Sequence, residues 1–126
     1  MSEISKVQII FSVENQGDAI GELYRIKAPR TYAAILGILP HTEKASVYKN
    51  AQVSIRIPGS IGLEKATKEV NKGDIAYWPL GEGICIYYEK IEPYSPVNVL
   101  GKILEGLDLF NDVKTGRTNI TIKKLE

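Results

Sequence analysis

Residues 72–88 read KGDIAYWPLGEGICIYY, two short runs of β-branched and aromatic residues separated by a glycine-bearing loop. Such runs are typical of strands, and the proline and glycines between them are typical of turns. We predict strands over Asp74 to Trp78 and Ile84 to Glu89. Alternate side chains of a strand point to opposite faces of a sheet, so each run presents one apolar set to a core. This stretch predicts a hairpin within a mostly β domain.

Short strands are predicted on both sides of that hairpin. The first, around residues 7–13, shows strict alternation through Val7, Ile9, Phe11 and Val13. The others cover Ala19 to Ile26, Lys44 to Lys49, Gln52 to Ile57, Asn98 to Leu104 and Thr118 to Lys124. About eight short strands at close spacing indicate a closed barrel or a sandwich. Residues 58–70 lack both alternation and a helical stripe, and we predict a surface loop there.

Two helices are predicted. After the first hairpin, apolar residues recur at helical spacing, at Tyr32, Ile35, Leu36 and Leu39. Pro29 suits the first turn of this helix, and Pro40 ends it because proline disfavours helix in the residue before it. A short second helix near the C-terminus is predicted over Asp108 to Val113, closed by Gly116. The 126 residues contain no repeat and no linker, so one domain over residues 1–126 is expected.

The composition argues against several classes of function. Lys and Arg number 16 against 15 for Asp and Glu, a net charge of +1, so neither nucleic acid nor a membrane is an expected partner. The N-terminal residues do not resemble a secretion signal, and no apolar run reaches about 20 residues. With Cys85 as its single cysteine, the chain is expected in the cytoplasm. Abundant Ile, Lys, Glu and Tyr favour a thermophilic source.

Few residues are available for covalent or metal chemistry. His41 is the single histidine and Cys85 the single cysteine, too few for a nucleophile with its base or for a soft-ligand metal site. We expect no metal and no cofactor. His41 follows Pro40 at the end of the predicted helix, where a structural role is favoured. Cys85 has no basic neighbour in sequence to lower its thiol pKa, which favours a packed side chain.

Three stretches together resemble a small bacterial and archaeal family called cyclophilin-like. They are residues 72–79 (KGDIAYWP), residues 83–88 (GICIYY) and residues 95–107 (SPVNVLGKILEGL). The resemblance implies the cyclophilin fold, a closed barrel of about eight strands with a helix near each end. Members of this family have no well-established biochemical activity.

Residues 56–59 (RIPG) are also similar to the peptidyl-prolyl isomerase stretch Arg-x-Ile-Pro-Gly-Phe-Met, which carries the catalytic arginine. This similarity implies a catalytic role for Arg56 if the chain is an isomerase. The proline pocket departs from the isomerase pattern, since Ser60 stands where isomerases place a Phe and Val97 where they place a His. Tyr87 corresponds to a pocket Phe, and Tyr94 lies near the usual Trp.

Strand parity places several of these residues on one surface. If the apolar sets face the barrel interior, then Arg56, Trp78 and Tyr87 share the outer face. With Ser60, Tyr94 and Asn98 they form the candidate ligand-binding set of an amphipathic cleft. Each has a structural alternative. Arg56 would be simply solvated, the tyrosines would be packed, Asn98 would bond a loop, and Trp78 would be covered by the 58–70 loop or by a second subunit of a homo-oligomer.

Three functions fit this sequence. The first, which the sequence favours over an enzyme, is a binding module that holds a peptide segment or a small polar ligand in the outer cleft. The second is a peptidyl-prolyl isomerase with a rebuilt proline pocket, in which Arg56 would act on the prolyl nitrogen. The third is an accessory subunit in small-molecule amide metabolism, because similar barrels occur in subunits of bacterial amide-hydrolysing enzymes. That third interpretation rests on fold analogy alone.

Overall fold

Eight antiparallel strands close into a barrel in the computed structural model, which describes residues 5–125. They are β1 (Lys6–Val13), β2 (Gly17–Tyr24), β3 (His41–Tyr48), β4 (Gln52–Arg56), β5 (Asp74–Trp78), β6 (Gly83–Tyr87), β7 (Asn98–Glu105) and β8 (Asn119–Lys124). Their order around the barrel is β1-β2-β7-β5-β6-β4-β3-β8, and β8 pairs with β1 to complete the circle. The predicted closed barrel of about eight strands is confirmed.

The first hairpin and the helix after it follow the predicted order. β1 and β2 pair along their whole length, and Asn15, with φ of 65°, supplies the left-handed residue of their turn. β2 ends at Tyr24 rather than at the predicted Ile26, because Arg25–Lys27 form a 3-10 turn. Helix α1 (Pro29–Ile38) follows and buries Thr31, Tyr32 and Ile35. No helix in residues 5–125 has the length and hydrophobicity needed to cross a membrane.

Two predictions near the ends of elements need correction. β3 begins at His41 rather than at Lys44, because His41 already pairs with Ile122 of β8. The second helix is a 3-10 helix over Leu107–Asp112, and it buries Phe110 edge-on against Phe11, with ring centroids 6.0 Å apart. Gly116 does not close it, since the Gly116 N–H bonds the Ala45 carbonyl in the turn before β8.

Buried apolar side chains form two separate clusters, one inside the barrel and one on its outer surface. The inner cluster contains the alternating residues of every strand, among them Phe11, Leu23, Ile55, Tyr77, Ile86 and Leu100. The outer cluster consists of Val70, Ala76, Cys85, Tyr87 and Val97, with Trp78, Ile91 and Val99 packed against it. The predicted inward and outward sets of β5 and β6 are therefore confirmed. These two strands, however, are buried on both faces.

Candidate functional site

Arg56 and Trp78 lie on either side of a glycine at the turn end of the β5–β6 hairpin. Gly83 of β6 pairs with Arg56 of β4 and also with Trp78 of β5, so the three residues form one row across the sheet. The Arg56 side chain is 72% exposed, and its Nη2 lies 2.8 Å from Glu82 Oε1. Glu82 belongs to the turn after Trp78 and has φ of 53°. The row places an ion pair beside an aromatic side chain.

Trp78 contacts Ser95 and Tyr94, and the Tyr94 ring beside it is exposed to solvent. Its Nε1 donates a hydrogen bond to Ser95 Oγ at 2.6 Å. The Tyr94 ring meets the indole edge to face, with centroids 6.4 Å apart, and Tyr94 is 65% exposed. The hairpin turn packs directly on the Trp78 ring at Gly81. A Cβ added at this position would overlap the indole, so only glycine allows this contact. We call Arg56, Trp78, Leu80, Glu82 and Tyr94 the hairpin rim.

Tyr87 lies on the predicted outer face but is fully buried there. Val70 from the 58–73 loop and Val97 from the 88–97 loop pack in the same cluster and fill the space above it. The expectation that Tyr87 lines an open cleft with Arg56 is therefore corrected, and cover by a loop is the alternative that holds. Burial raises the pKa of the Tyr87 hydroxyl, and the nearby Cys85 raises it further. This hydroxyl bonds no nitrogen or oxygen of the described residues, and the Cys85 thiol beside it is a weak hydrogen-bonding group.

The polar side chains near Tyr87 form hydrogen bonds with one another. Gln52 Nε2 donates to Ser54 Oγ at 2.8 Å and lies 3.3 Å from Cys85 Sγ. Ser54 Oγ lies 3.3 Å from the same sulfur. Burial raises the pKa of the Cys85 thiol to about 12, so at neutral pH it is protonated and is not a nucleophile. Strand parity in the sequence places Ser54 on the outer face with Arg56, as observed, but neither Gln52 nor Ser54 was predicted as a site residue.

Asn98 is fully buried and bonds the chain's own 58–73 loop. Its Oδ1 accepts from the Glu64 N–H at 2.8 Å, and its Nδ2 donates to the Gly62 carbonyl at 2.9 Å. Nδ2 also lies 3.1 Å from Thr31 Oγ1. Of the two roles expected for Asn98, the structure shows the loop bond, and the residue pairs with the inward-facing Tyr77 rather than with Trp78.

Glu64 is a structural residue that sequence analysis missed. Helix α1 begins after Ala28, which has no side chain able to cap it, and the Glu64 carboxylate takes that place. It accepts from the backbone N–H groups of Arg30 at 3.0 Å and Thr31 at 2.8 Å, and from Thr31 Oγ1 at 2.8 Å. Burial by itself would raise the pKa of this carboxyl, but these hydrogen bonds and the Arg30 charge lower it below its usual value. One signal in the sequence pointed to a capping residue from elsewhere in the chain: α1 starts at Ala28-Pro29, and neither residue can cap the helix with its own side chain.

Ser60 lies away from the rim, in a different depression of the surface. It is exposed and lines a cavity of about 260 Å³ together with Arg30, Ala34, Ile61, Gly62 and Glu64. Of the six predicted site residues, the structure therefore brings together Arg56, Trp78 and Tyr94. Ser60, Tyr87 and Asn98 lie elsewhere.

The described residues offer no obvious metal centre. Within residues 5–125 no three His, Cys, Asp or Glu side chains are grouped so as to hold a metal ion. His41 Nε2 lies 2.8 Å from the Arg56 carbonyl and, because a carbonyl can only accept, donates to it. His41 thus fixes the backbone that carries Arg56.

Comparison with solved structures gives three informative likenesses. The solution structure of the hypothetical protein AF2241 from Archaeoglobus fulgidus is 25% identical, with a TM-score of 0.81 over 99% of this chain and all of that one. A cyclophilin-type peptidyl-prolyl cis-trans isomerase of Cryptosporidium parvum is 14% identical, with a TM-score of 0.67 over 96% of this chain and 98% of its own. McbB in complex with tryptophan is 12% identical, with a TM-score of 0.75 over 91% of this chain but 44% of McbB.

The last two likenesses concern the fold alone, because their sequence identities are low. No curated protein matches the chain. The sequence model of the family described as cyclophilin-like matches residues 5–123, nearly the whole chain. This match agrees with the barrel, with the helix after the first hairpin and with the motifs of residues 72–107. The chain belongs to the cyclophilin-like family.

Proposed function

We propose that this protein binds an extended peptide segment or a small polar ligand at the hairpin rim. The observation that carries the proposal is the row in which Arg56 and Trp78 face outward, with Tyr94 exposed beside the indole. The rim replaces the longer cleft expected from the sequence, because the outer cluster fills the region around Tyr87.

The rim combines the two kinds of contact that such a ligand needs. Leu80 and Tyr94 are 66% and 65% exposed and supply apolar surface that no other described residue covers. Arg56 uses one Nη2 contact on Glu82 and keeps other guanidinium N–H groups for a carbonyl or carboxylate. The Glu82 carboxylate, in turn, can accept from a ligand N–H. An extended peptide offers both groups on its backbone and apolar side chains at alternate positions.

Trp78 provides a direct assay because it is the single tryptophan of the chain. Short peptides selected on an array of extended sequences would be titrated against the protein while indole emission is recorded. We expect binding to change the emission. We also expect Arg56→Ala to weaken affinity by about tenfold or more, the size of a hydrogen bond to a charged group. Tyr94→Ala should weaken it by a similar or smaller factor.

Matched variants separate the rim from the rest of the surface. Arg117→Ala removes an exposed arginine and Leu104→Ala an exposed aliphatic residue, both on other parts of the barrel. Both should retain the affinity of the native chain. The proposal fails if selected peptides bind without changing Trp78 emission, or if Arg56→Ala and Tyr94→Ala bind as well as these controls.

Peptidyl-prolyl isomerisation is a second candidate, favoured by the exposed position of Arg56 on the outer face of β4. It requires an apolar pocket that grips a proline ring beside the arginine. The buried state of Tyr87 counts against such a pocket. A proline-peptide isomerisation assay on the native chain and on Arg56→Ala tests this function. Isomerisation above the uncatalysed rate in the native chain, lost in the variant, would favour the enzyme. A role in amide metabolism has no support beyond the fold.

A further inference from the structure

A second surface, which shares no residue with the hairpin rim, combines exposed cations with exposed aliphatic side chains. It comprises Ile26, Lys27, Arg30, Leu63 and Lys65, which we call the basic face. Ile26 and Leu63 are 74% and 59% exposed. The Arg30 side chain is 79% exposed, and Lys27 and Lys65 are exposed as well. Large aliphatic side chains this exposed on a charged surface are typical of interaction sites.

Two specific contacts join the segments that form this face. Lys65 Nζ donates to the Ile26 carbonyl at 2.9 Å, which ties the 58–73 loop to the 3-10 turn before α1. Glu64 bonds the backbone N–H groups of Arg30 and Thr31 from the same loop. Residues 26–30 and 63–65 are therefore held side by side, and their side chains form one continuous surface.

Cations outnumber carboxylates on the basic face, and its acidic neighbours are engaged in contacts within the chain. The Glu64 side chain is 10% exposed, accepts hydrogen bonds from the α1 N-terminus and pairs with Arg30, whose Nε lies 3.5 Å from Glu64 Oε2, so that the exposed remainder of the guanidinium faces solvent. Glu22, on the adjoining strand β2, is 12% exposed and bonds Lys6 and the Tyr24 hydroxyl. Since the whole chain has a net charge of only +1, this concentration of cations is local.

A concave feature borders these cations. The cavity of about 260 Å³ that contains Ser60 has Arg30 on its wall and Ala34 and Ile61 among its lining residues. From this cavity, the cations and the exposed Ile26 and Leu63, we infer that the basic face docks an acidic protein segment that carries aliphatic side chains. Its carboxylates would meet Lys27, Arg30 and Lys65, and one aliphatic side chain would enter the cavity. A flat bilayer would leave that cavity unused.

A labelled glutamate-rich peptide that carries leucine side chains serves as the probe, with a lysine-rich peptide of equal leucine content as its counterpart. Fluorescence anisotropy should show binding of the acidic peptide alone, weakening as salt is added. Lys27→Glu should lower its affinity by about tenfold. Ile26→Ser should lower it several-fold at unchanged net charge. Lys124→Glu and Leu104→Ser, which make the same changes elsewhere, should have little effect.

Several results would overturn this inference. One is failure of the acidic peptide to bind the native chain at low salt. Another is an equal loss of affinity in Lys27→Glu and Lys124→Glu, which would show attraction to overall charge. A third is binding to phosphatidylserine vesicles, absent with phosphatidylcholine vesicles, without binding to the peptide, which would make a lipid surface the partner. Circular dichroism of each variant establishes that it is folded, so that a loss of binding reports the surface.

Discussion

The inner and outer faces of the β5–β6 hairpin are both buried, but for different reasons. On the inner face, Tyr77 and Ile86 join a core to which every strand of the barrel contributes. On the outer face, Cys85 and Tyr87 are covered by two loops, through Val70 and Val97. The inner face is sealed by closure of the sheet and the outer face by irregular segments. The difference shows that burial alone does not distinguish a fold-defining core from a surface that loops have covered.

The two buried tyrosines of this hairpin show the contrast in their hydroxyl groups. The Tyr77 hydroxyl accepts a hydrogen bond from the Ile61 N–H at 3.4 Å. The Tyr87 hydroxyl bonds no nitrogen or oxygen of the described residues and has only the weakly hydrogen-bonding Cys85 thiol beside it. A buried polar group without a strong hydrogen-bond partner costs stability, so the hydrogen bonding of Tyr87 on the outer face is less well satisfied than that of Tyr77 in the inner core.

The largest expected effect comes from removing side chains from the two clusters. Ile86→Ala, in the inner core, should lower the free energy of unfolding by about 2–5 kcal/mol through lost burial and the cavity left behind. Val70→Ala, in the outer cluster, should cost about 1–2 kcal/mol, because fewer methyl groups are lost and a loop can relax around them. Urea denaturation followed by circular dichroism measures both. Equal costs would mean that the two faces form one cooperative core.

An intermediate effect is expected at Glu64, which anchors the loop over the outer face. Glu64→Ala removes the cap of α1 and should lower the free energy of unfolding by about 1 kcal/mol at neutral pH. Because the folded-state pKa of Glu64 lies below its unfolded value, its contribution is present above the unfolded pKa and is lost as pH falls through the folded pKa. Urea denaturation across acidic and neutral pH should therefore show the native and variant stabilities converging in acid.

Glu69 offers a matched control for that experiment. It is an exposed carboxylate in the same loop, and Glu69→Ala should leave stability nearly unchanged at every pH. Cys85 provides a local measure of the cover, since alkylation of its buried thiol requires the outer cluster to open. We expect faster alkylation in Glu64→Ala than in Glu69→Ala. Equal rates would show that Glu64 stabilises α1 without holding the loop over the outer face.

The smallest effect distinguishes the two faces by its sign. Tyr87→Phe removes a hydroxyl that has no partner stronger than the Cys85 thiol and should raise the free energy of unfolding by up to about 1 kcal/mol. Tyr77→Phe leaves the Ile61 N–H without its acceptor and should lower it by about 0.5–1 kcal/mol. Thermal and urea denaturation of both variants test the contrast. A loss of stability in Tyr87→Phe would reveal a partner for the hydroxyl and would make the outer cluster as well satisfied as the inner core.

The sequence by itself determined the strands and the direction of most of their side chains, and its resemblance to a known family chose the closed barrel over a sandwich. Alternation in residues 7–13 and 72–88 has a period of two, and this local pattern is retained whenever one face of a strand must be buried. The helix after the first hairpin was equally visible, because Tyr32 and Ile35 follow helical spacing. The predicted positions of Arg56 and Trp78 on one outer face were correct for the same reason.

Only the tertiary structure decided which parts of the outer face stay open. Whether Tyr87 is accessible depends on where Val70 and Val97 pack, and those residues lie in loops without a periodic pattern. The capping role of Glu64 joins residues more than thirty positions apart, 33 in the case of Thr31, so the uncapped start of α1 shows that a cap is missing but not which residue supplies it. The separation of Ser60 from the hairpin rim has the same origin. Periodicity fixes the direction of a side chain, but long-range loop packing fixes whether a ligand can reach it.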